Sequence, residues 1–400
     1  MKLEEPVVPE AYVGREQAYI KHLFLRKYLE RLVHKIASFA NCIVYVDGFS
    51  GPWKSAAQNY ADTSFCIALK ALTDARRSWL TMPAGNRRDV VMEARLVEEE
   101  DEPFDQLQHI GSHFPEVSVT PYHGDFMAFA PAIAAALPAN AFSFVLVDPK
   151  GFGLDMAKLK PLLERERSEA VFNFMFDYAN RFPSLASLGP TYDRLLPGVD
   201  WRTHLADLEA NPATTPEERK HAFLGWFKHA IRNVSGYRFI ADVEIQYPGK
   251  DRTFYFLVYG TRKPPGIKVF RDCQIKALEE QSAIGGHMRA QAAQAGGQFE
   301  LPGVTAELRT LQFKANLERE AVAARSLLLS MIPETGGIRW DRVWPDVLAE
   351  HVIREGTLGR MVNDLRKQAV LDIPGWPARK QKPDDDYCLH RGAAFARLNR

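Results

Sequence analysis

Four apolar runs in this chain each end on an acid. Ile43-Val44-Tyr45-Val46 delivers Asp47-Gly48-Phe49-Ser50-Gly51-Pro52-Trp53, and residues 94–97 deliver Glu98-Glu99-Glu100-Asp101-Glu102. Val117-Ser118-Val119-Thr120 leads to Tyr122-His123-Gly124-Asp125-Phe126, and residues 142–147 lead to Asp148-Pro149-Lys150-Gly151-Phe152-Gly153. A β-branched and aromatic run followed by glycine is how a buried parallel strand reads when it brings the chain to a ligand. Gly48 and Gly51 can take positive φ or let backbone approach that ligand closely. An acid at the end of the second strand of such a sheet can accept hydrogen bonds from ribose hydroxyls. A Gly-Asp-aromatic turn can set a carboxylate near an adenine amino group with a ring against its face. Each motif taken singly also fits a plain strand and turn, and the acid run also fits a solvated turn.

Positioning four such ends on one edge requires strands and helices in alternation. Residues 15–39 carry Ile20, Leu23, Phe24, Tyr28, Leu32, Val33 and Ile36 at helical spacing, with Lys21, Arg26, Lys27, Arg31 and Lys35 on a solvated face. Helices follow over 64–72, 128–137 and 156–163, and a further apolar strand spans 170–176. Residues 185–216 hold several Pro and Gly and read as an excursion over the active edge. Thr215-Pro216 starts a helix over 217–234. Strands over 237–245 and 253–259, joined by a turn at Tyr247-Pro248-Gly249-Lys250, close the sheet with an antiparallel pair. The expected fold is α/β: a Rossmann-like, mostly parallel sheet with flanking helices and an antiparallel edge, filling residues 1–283.

Beyond a helix over 267–283, residues 284–336 read as a Gly/Ala/Gln-rich linker and a bridging helix. Residues 337–400 form a winged-helix-like domain: helix, helix, short strand, the charged loop Arg379-Lys380-Gln381-Lys382, and a last strand. Its second helix would turn Arg360, Arg366 and Lys367 toward nucleic acid, with contact to a protein as the other use of such a domain.

Composition narrows the classes. The chain has 400 residues, 46% hydrophobic and 25% charged, with net charge +1, so no global field draws it to nucleic acid or membrane. Its four cysteines form no CxxC pair and its eleven histidines no zinc spacing, which implies free thiols, a reducing cytoplasm and no metal. No signal-peptide layout opens the sequence. The uncharged stretch 126–147 is broken by Pro131, Pro138 and Asn140, which fits a helix and a strand better than a membrane span.

The four acid-bearing ends come in the order and spacing of an S-adenosylmethionine-dependent methyltransferase. A sulfonium donates a methyl cation equivalent, so the protein needs to hold cofactor and nucleophile in line and take up any released proton. On this reading Asp47, Gly48, Phe49, Gly51, Glu98, Asp125 and Phe126 bind cofactor. Asp148 and Lys150 are the catalytic pair, with Pro149 and Phe152 at the substrate. The sequence also resembles the three-Cys-motif partner proteins, through Ile20-Lys21 to Tyr28-Leu29 entering Val46-Asp47-Gly48-Phe49-Ser50-Gly51-Pro52. Val97-Glu98 with Phe104 and Leu107, Val147-Asp148-Pro149-Lys150-Gly151, and Leu257-Val258-Tyr259-Gly260-Thr261 carry the rest of it. The resemblance implies a Rossmann-type methyltransferase-like domain, Glu98 as the ribose acid, and a radical-SAM-like partner bearing three cysteines. Amino-directed nucleic-acid methyltransferases place Asp/Asn-Pro-Pro-aromatic after the fourth strand. Here Lys150 and Gly151 replace the second proline and the aromatic. The expected function is methyl transfer to nucleic acid or a nucleotide-like substrate. The alternative is a non-catalytic platform that presents nucleic acid or protein through its winged helix. An effector nuclease is disfavoured, because no compact metal-binding set of acids is present.

Overall fold

A computed structural model of the chain describes residues 8–51, 60–149, 151, 153–175, 185–247, 249–250, 252–295 and 304–396. Lys150 and Phe152, expected at the catalytic and substrate positions, lie outside the described residues, as does the turn at 177–181. The chain divides into two units, Met1–Arg262 and Lys263–Arg400.

The first unit is built on a seven-stranded sheet. Its strands are β1 (Cys42–Asp47), β2 (Val91–Glu98), β3 (Ser118–His123), β4 (Phe142–Val147), β5 (Ser168–Phe174), β6 (Phe239–Gln246) and β7 (Thr253–Thr261). They lie in the order β3-β2-β1-β4-β5-β7-β6. The first five are parallel, and β7 runs antiparallel between β5 and β6. The sheet is therefore Rossmann-like with an antiparallel edge. All six side chains of β4 are buried, as a strand covered on both faces requires.

Alternation sorts the two faces. Val44, Val46, Val145, Val147, Phe172 and Val258 point into one apolar cluster with three helices, α4 (Phe126–Ala136), α5 (Met156–Leu163) and α8 (Pro216–Ser235). Tyr45 points the other way and stacks on Phe144, whose ring also meets Tyr28 of α1 (Glu16–Ala37). The helices α2 (Ser64–Leu80) and α3 (Asp101–Leu107) complete the first half. A capping box starts α8: Thr215 Oγ1 accepts from Glu218 N at 3.2 Å, and Thr215 N donates to Glu218 Oε2 at 2.8 Å.

Two sequence expectations change here. The stretch 185–216, read as irregular from its Pro and Gly, holds two helices, α6 (Leu185–Leu195) and α7 (Trp201–Ala210). Tyr192, Leu195, Trp201 and Leu205 are buried in the same cluster as Phe223 and Phe227 of α8, so apolar burial outweighs the local Pro and Gly. The second strand is also longer than 94–97, because Glu93 and Arg95 neutralise each other at 2.5 Å within it.

Behind β5 lies a buried carboxyl. Tyr28 and Thr261 donate hydrogen bonds to Glu169, and Tyr28 Oη also meets Tyr259 Oη at 2.8 Å. Burial raises the Glu169 pKa above its ordinary 4.5 despite these donors. A raised carboxyl pKa means that the folded state binds the proton more tightly. The stability it contributes is full below the unfolded value and is lost as pH rises through the folded one. Urea titrations at acidic and at mildly alkaline pH should therefore show Glu169→Gln gaining on the wild type as pH rises. A constant difference would mean that Glu169 is already ionised throughout.

The second unit pairs two long helices, α9 (Pro264–Ala295) and α10 (Val304–Ser330), with Ser282 Oγ donating to Arg309 O at 3.0 Å. The linker expected from residue 284 is thus helical to 295. The helix that was expected to close the first domain at 283 belongs to the second unit. Arg271 of α9 is buried and donates to Leu348 O at 2.6 Å and Ala349 O at 2.8 Å. These carbonyls belong to α11 (Trp344–Glu350), which α12 (Glu355–Lys367) follows. Three short strands, β8 (Ile338–Arg339), β9 (Leu371–Asp372) and β10 (Cys388–Arg391), make an antiparallel sheet in the order β8-β10-β9.

Candidate functional site

The carboxyl ends of β1, β2 and β4 frame a cavity of about 690 Å³. Strand order reverses here: β2 and β3 lie on one side of β1, β4 and β5 on the other. Open α/β sheets take ligands at such a switch point.

The turn after β1 forms the floor and is pinned on both sides. Gly48 N donates to Leu146 O of β4 at 3.1 Å, and Ser50 N donates to Val97 O of β2 at 2.8 Å. Asp47, expected among the cofactor ligands, stands behind the lining and is fully buried. Its carboxylate accepts from Tyr45 Oη at 2.8 Å, Ser64 Oγ at 2.9 Å and Phe49 N at 3.1 Å. Burial pushes its pKa up, and Asp148 adds to the rise. Asp47 is thus a strut that holds the turn to α2. Gly48 departs from one of its two expected uses. Its φ is not positive, and the space beside it belongs to Phe126. A methyl group there would lie 2.7 Å from Phe126 Cγ and closer still to Cδ1 and Cε1. Phe126 is buried, edge-on to Phe49 at 5.9 Å between centroids. Gly48, Phe49, Gly51 and Phe126 all line the cavity.

Glu98 ends β2 and is 4% exposed. Its Oε1 accepts from Glu100 N at 2.8 Å, and Oε2 has no hydrogen-bonding partner among the described residues. Glu98 O takes the N–H of Gly124 at 2.8 Å, and Gly124 makes the turn out of β3 at φ +134, a conformation that suits glycine. Asp125 follows as the N-cap of α4, with Oδ1 accepting from Met127 N at 3.0 Å. It is exposed at the cavity rim. Glu98 and Asp148 end strands two apart in the sheet, about 10 Å at normal strand spacing.

Asp148 is fixed at both oxygens: Lys21 Nζ donates to Oδ2 and Asn173 Nδ2 to Oδ1, each at 2.5 Å. Pro149 is buried beside it and lines the same cavity. Lys21 was expected on the solvated face of its helix. Its side chain is instead 18% exposed and paired with Asp148. Arg15, Ala18, Lys21 and His22 all line the cavity, so this helix presents one face to it. Arg15 is ion-paired with Asp62. Asn173, hidden in the sequence within an apolar strand, lines the cavity too.

The structure therefore brings together Gly48, Phe49, Gly51, Glu98, Asp125, Phe126, Asp148 and Pro149. Arg360, Arg366 and Lys367 belong to the second unit. There Arg360 is exposed, Lys367 faces Asp364 at 3.6 Å, and Arg366 lies over the Trp376 ring at 5.2 Å. In the loop after β9, Lys380 pairs with Asp384, and Lys382 with Glu355 at 3.3 Å. Among the described residues no group of three or more His, Cys, Asp or Glu is placed to hold a metal. No helix among them is long and apolar enough to cross a membrane.

No protein-family model matches the sequence, and no curated protein matches it. Among solved structures, the chain is similar to a Bacillus cereus O-methyltransferase in complex with SAH, at 11% identity and TM-score 0.31. That alignment covers 63% of this chain and 84% of the other. It is also similar to the Streptomyces achromogenes O-methyltransferase TomG in complex with SAM, at 15% identity and TM-score 0.29, over 65% and 92% of the two chains. A Legionella pneumophila DUF519 protein aligns at 12% identity and TM-score 0.34, over 63% and 89%. Likenesses at this level carry no weight for function.

Proposed function

We propose that the first unit is an S-adenosylmethionine-dependent methyltransferase acting on a nucleotide-like acceptor. The observation that carries this reading is Glu98. It is a nearly buried residue at the end of β2, with one carboxylate oxygen spent on the chain and the other without a partner among the described residues at the cavity wall. A carboxylate oxygen open to the cavity can accept from a hydroxyl, and a ribose hydroxyl is the donor that an acid at the end of a second strand takes. The donor set fits the cofactor in its other parts. Asp125 at the rim can accept from an adenine amino group, and the cavity has the size of a small-molecule site. When bound, the cofactor supplies an electrophilic methyl group.

The chain's own residues do the rest. Asp148, held by Lys21 and Asn173 about 10 Å from Glu98, sits where the acceptor would meet the methyl group. Either oxygen of its carboxylate can accept a hydrogen bond from an acceptor N–H or O–H. Lys150 follows it in sequence and is assigned to the acceptor's charge. Calorimetry with S-adenosylmethionine should show Asp125→Ala losing about tenfold in affinity, the worth of one charged hydrogen bond, and Lys150→Ala little. Equal losses would refute this division of roles.

A second reading concerns residues 337–400. The order strand, helix, helix, strand, strand, with β10 central, supports a winged helix. The pairing of Lys367, Lys380 and Lys382 with acids favours contact with a protein over a nucleic-acid groove. The resemblance to the three-Cys-motif partner proteins supports a radical-SAM-like protein as that partner. Charge reversal in R360E/R366E should then leave any nucleic-acid affinity and its salt slope unchanged. A weaker affinity with a shallower slope would assign the surface to nucleic acid.

A further inference from the structure

The helix face at Arg15, Ala18, Lys21 and His22 offers donors that the proposed cofactor does not use. His22 is 6% exposed and lines the cavity. Its Nδ1 lies 3.0 Å from Tyr12 Oη, and Nε2 makes no hydrogen bond with a described residue. The proton in that contact can be placed. Tyr12 is 3% exposed, and His22 Nδ1 is the acceptor its hydroxyl has among the described residues. A buried O–H does not go without an acceptor, so Tyr12 donates and Nδ1 accepts. The neutral ring then carries its proton on Nε2, as a donor. Burial, reinforced by Lys21, Arg15 and Arg26, holds the imidazole pKa well below 6.5 and keeps the ring neutral.

Its neighbours are donors with capacity to spare. Lys21 spends one of its three N–H groups on Asp148, and Arg15 spends Nε on Ala11 O at 2.9 Å and Nη2 on Asp62. Ala18, between them on the helix face, leaves room for a ligand to approach.

We propose that Arg15, Lys21 and the Nε2–H of His22 form an oxyanion-binding wall, and that the methyl acceptor carries a phosphate or carboxylate held there beside Asp148. The word acceptor rests on the methyltransferase reading; the anion site does not. Tyr12 is a positioning residue, because it sets the tautomer through which His22 acts.

The test uses the full chain with its imidazoles labelled with ¹⁵N, in the absence of S-adenosylmethionine. The His22 signals should report the Nε2–H tautomer. They should shift saturably on titration with inorganic phosphate or with acetate at constant ionic strength, and not with chloride. The stronger of the two anions identifies the group. Lys21→Met should weaken that binding about tenfold. Tyr12→Phe, which leaves the cavity lining intact, should mix the two tautomers and also weaken binding. A His22 ring protonated on Nδ1, no saturable shift with either anion, or equal affinity in Lys21→Met would overturn the proposal. Anion binding without cofactor binding would keep this wall and remove the methyltransferase reading.

Discussion

Replacing Gly48 by alanine will lower the melting temperature of the chain by roughly 2–12 °C and weaken S-adenosylmethionine binding. The added methyl has no space, since it would lie 2.7 Å from Phe126 Cγ, and that ring is buried against Phe49. Overpacking of this kind costs about 1–3 kcal/mol, and about 2–4 °C per kcal/mol is lost in a domain of this size. The ring can yield only by moving toward the cavity or by dragging α4, which carries Asp125 at its N-cap. Both movements disturb the site. Phe126→Leu in the same chain should restore much of the stability, because the smaller side chain leaves room for the methyl. If the double variant is no more stable than Gly48→Ala alone, the glycine is needed for backbone reasons and not for Phe126.

Replacing Glu98 by alanine will weaken S-adenosylmethionine binding by about ten- to a hundredfold with little loss of stability. A hydrogen bond to a charged group contributes about 1.5–3 kcal/mol, and each 1.4 kcal/mol is tenfold in affinity. Glu98→Gln separates the carboxylate's two tasks. Its amide oxygen can still accept from Glu100 N, as Oε1 does at 2.8 Å, while the amide nitrogen presents donors where Oε2 accepted. The glutamine variant should therefore fold like the wild type and still bind poorly. Wild-type affinity in both variants would take the ribose away from Glu98.

What the sequence made legible follows from what local chemistry encodes. The apolar runs before Asp47 and Asp148 are buried strands because nothing but a covered parallel sheet suits them. Thr215-Pro216 with Glu218 names a helix start by itself, and the capping box is there. The antiparallel pair at the edge is equally direct from its aromatic run and turn. The features that were not legible depend on partners distant in sequence. Lys21 is one of five basic residues on an amphipathic helix, and only the docking of that helix beside β4 separates it from Arg26 and Arg31, which are exposed. Asn173 sits between two phenylalanines and gives no signal until Asp148 meets it. Residues 285–295 read as a linker because of their glycines, yet Ala and Gln are sound helix formers, and pairing with α10 outweighs the glycine cost of about 1 kcal/mol each. Gly48 was conspicuous in the sequence as a turn glycine, and the packing adds a reason that the sequence does not show, the Phe126 ring beside it.

The cavity at the β1/β4 switch point is the centre of this account, and cofactor binding is its most exposed claim. Isothermal titration of the folded chain with S-adenosylmethionine should give a saturable heat for one site per chain, abolished or sharply reduced in Glu98→Ala. A folded wild type that gives no heat, with no displacement by S-adenosylhomocysteine in a parallel competition, would contradict it.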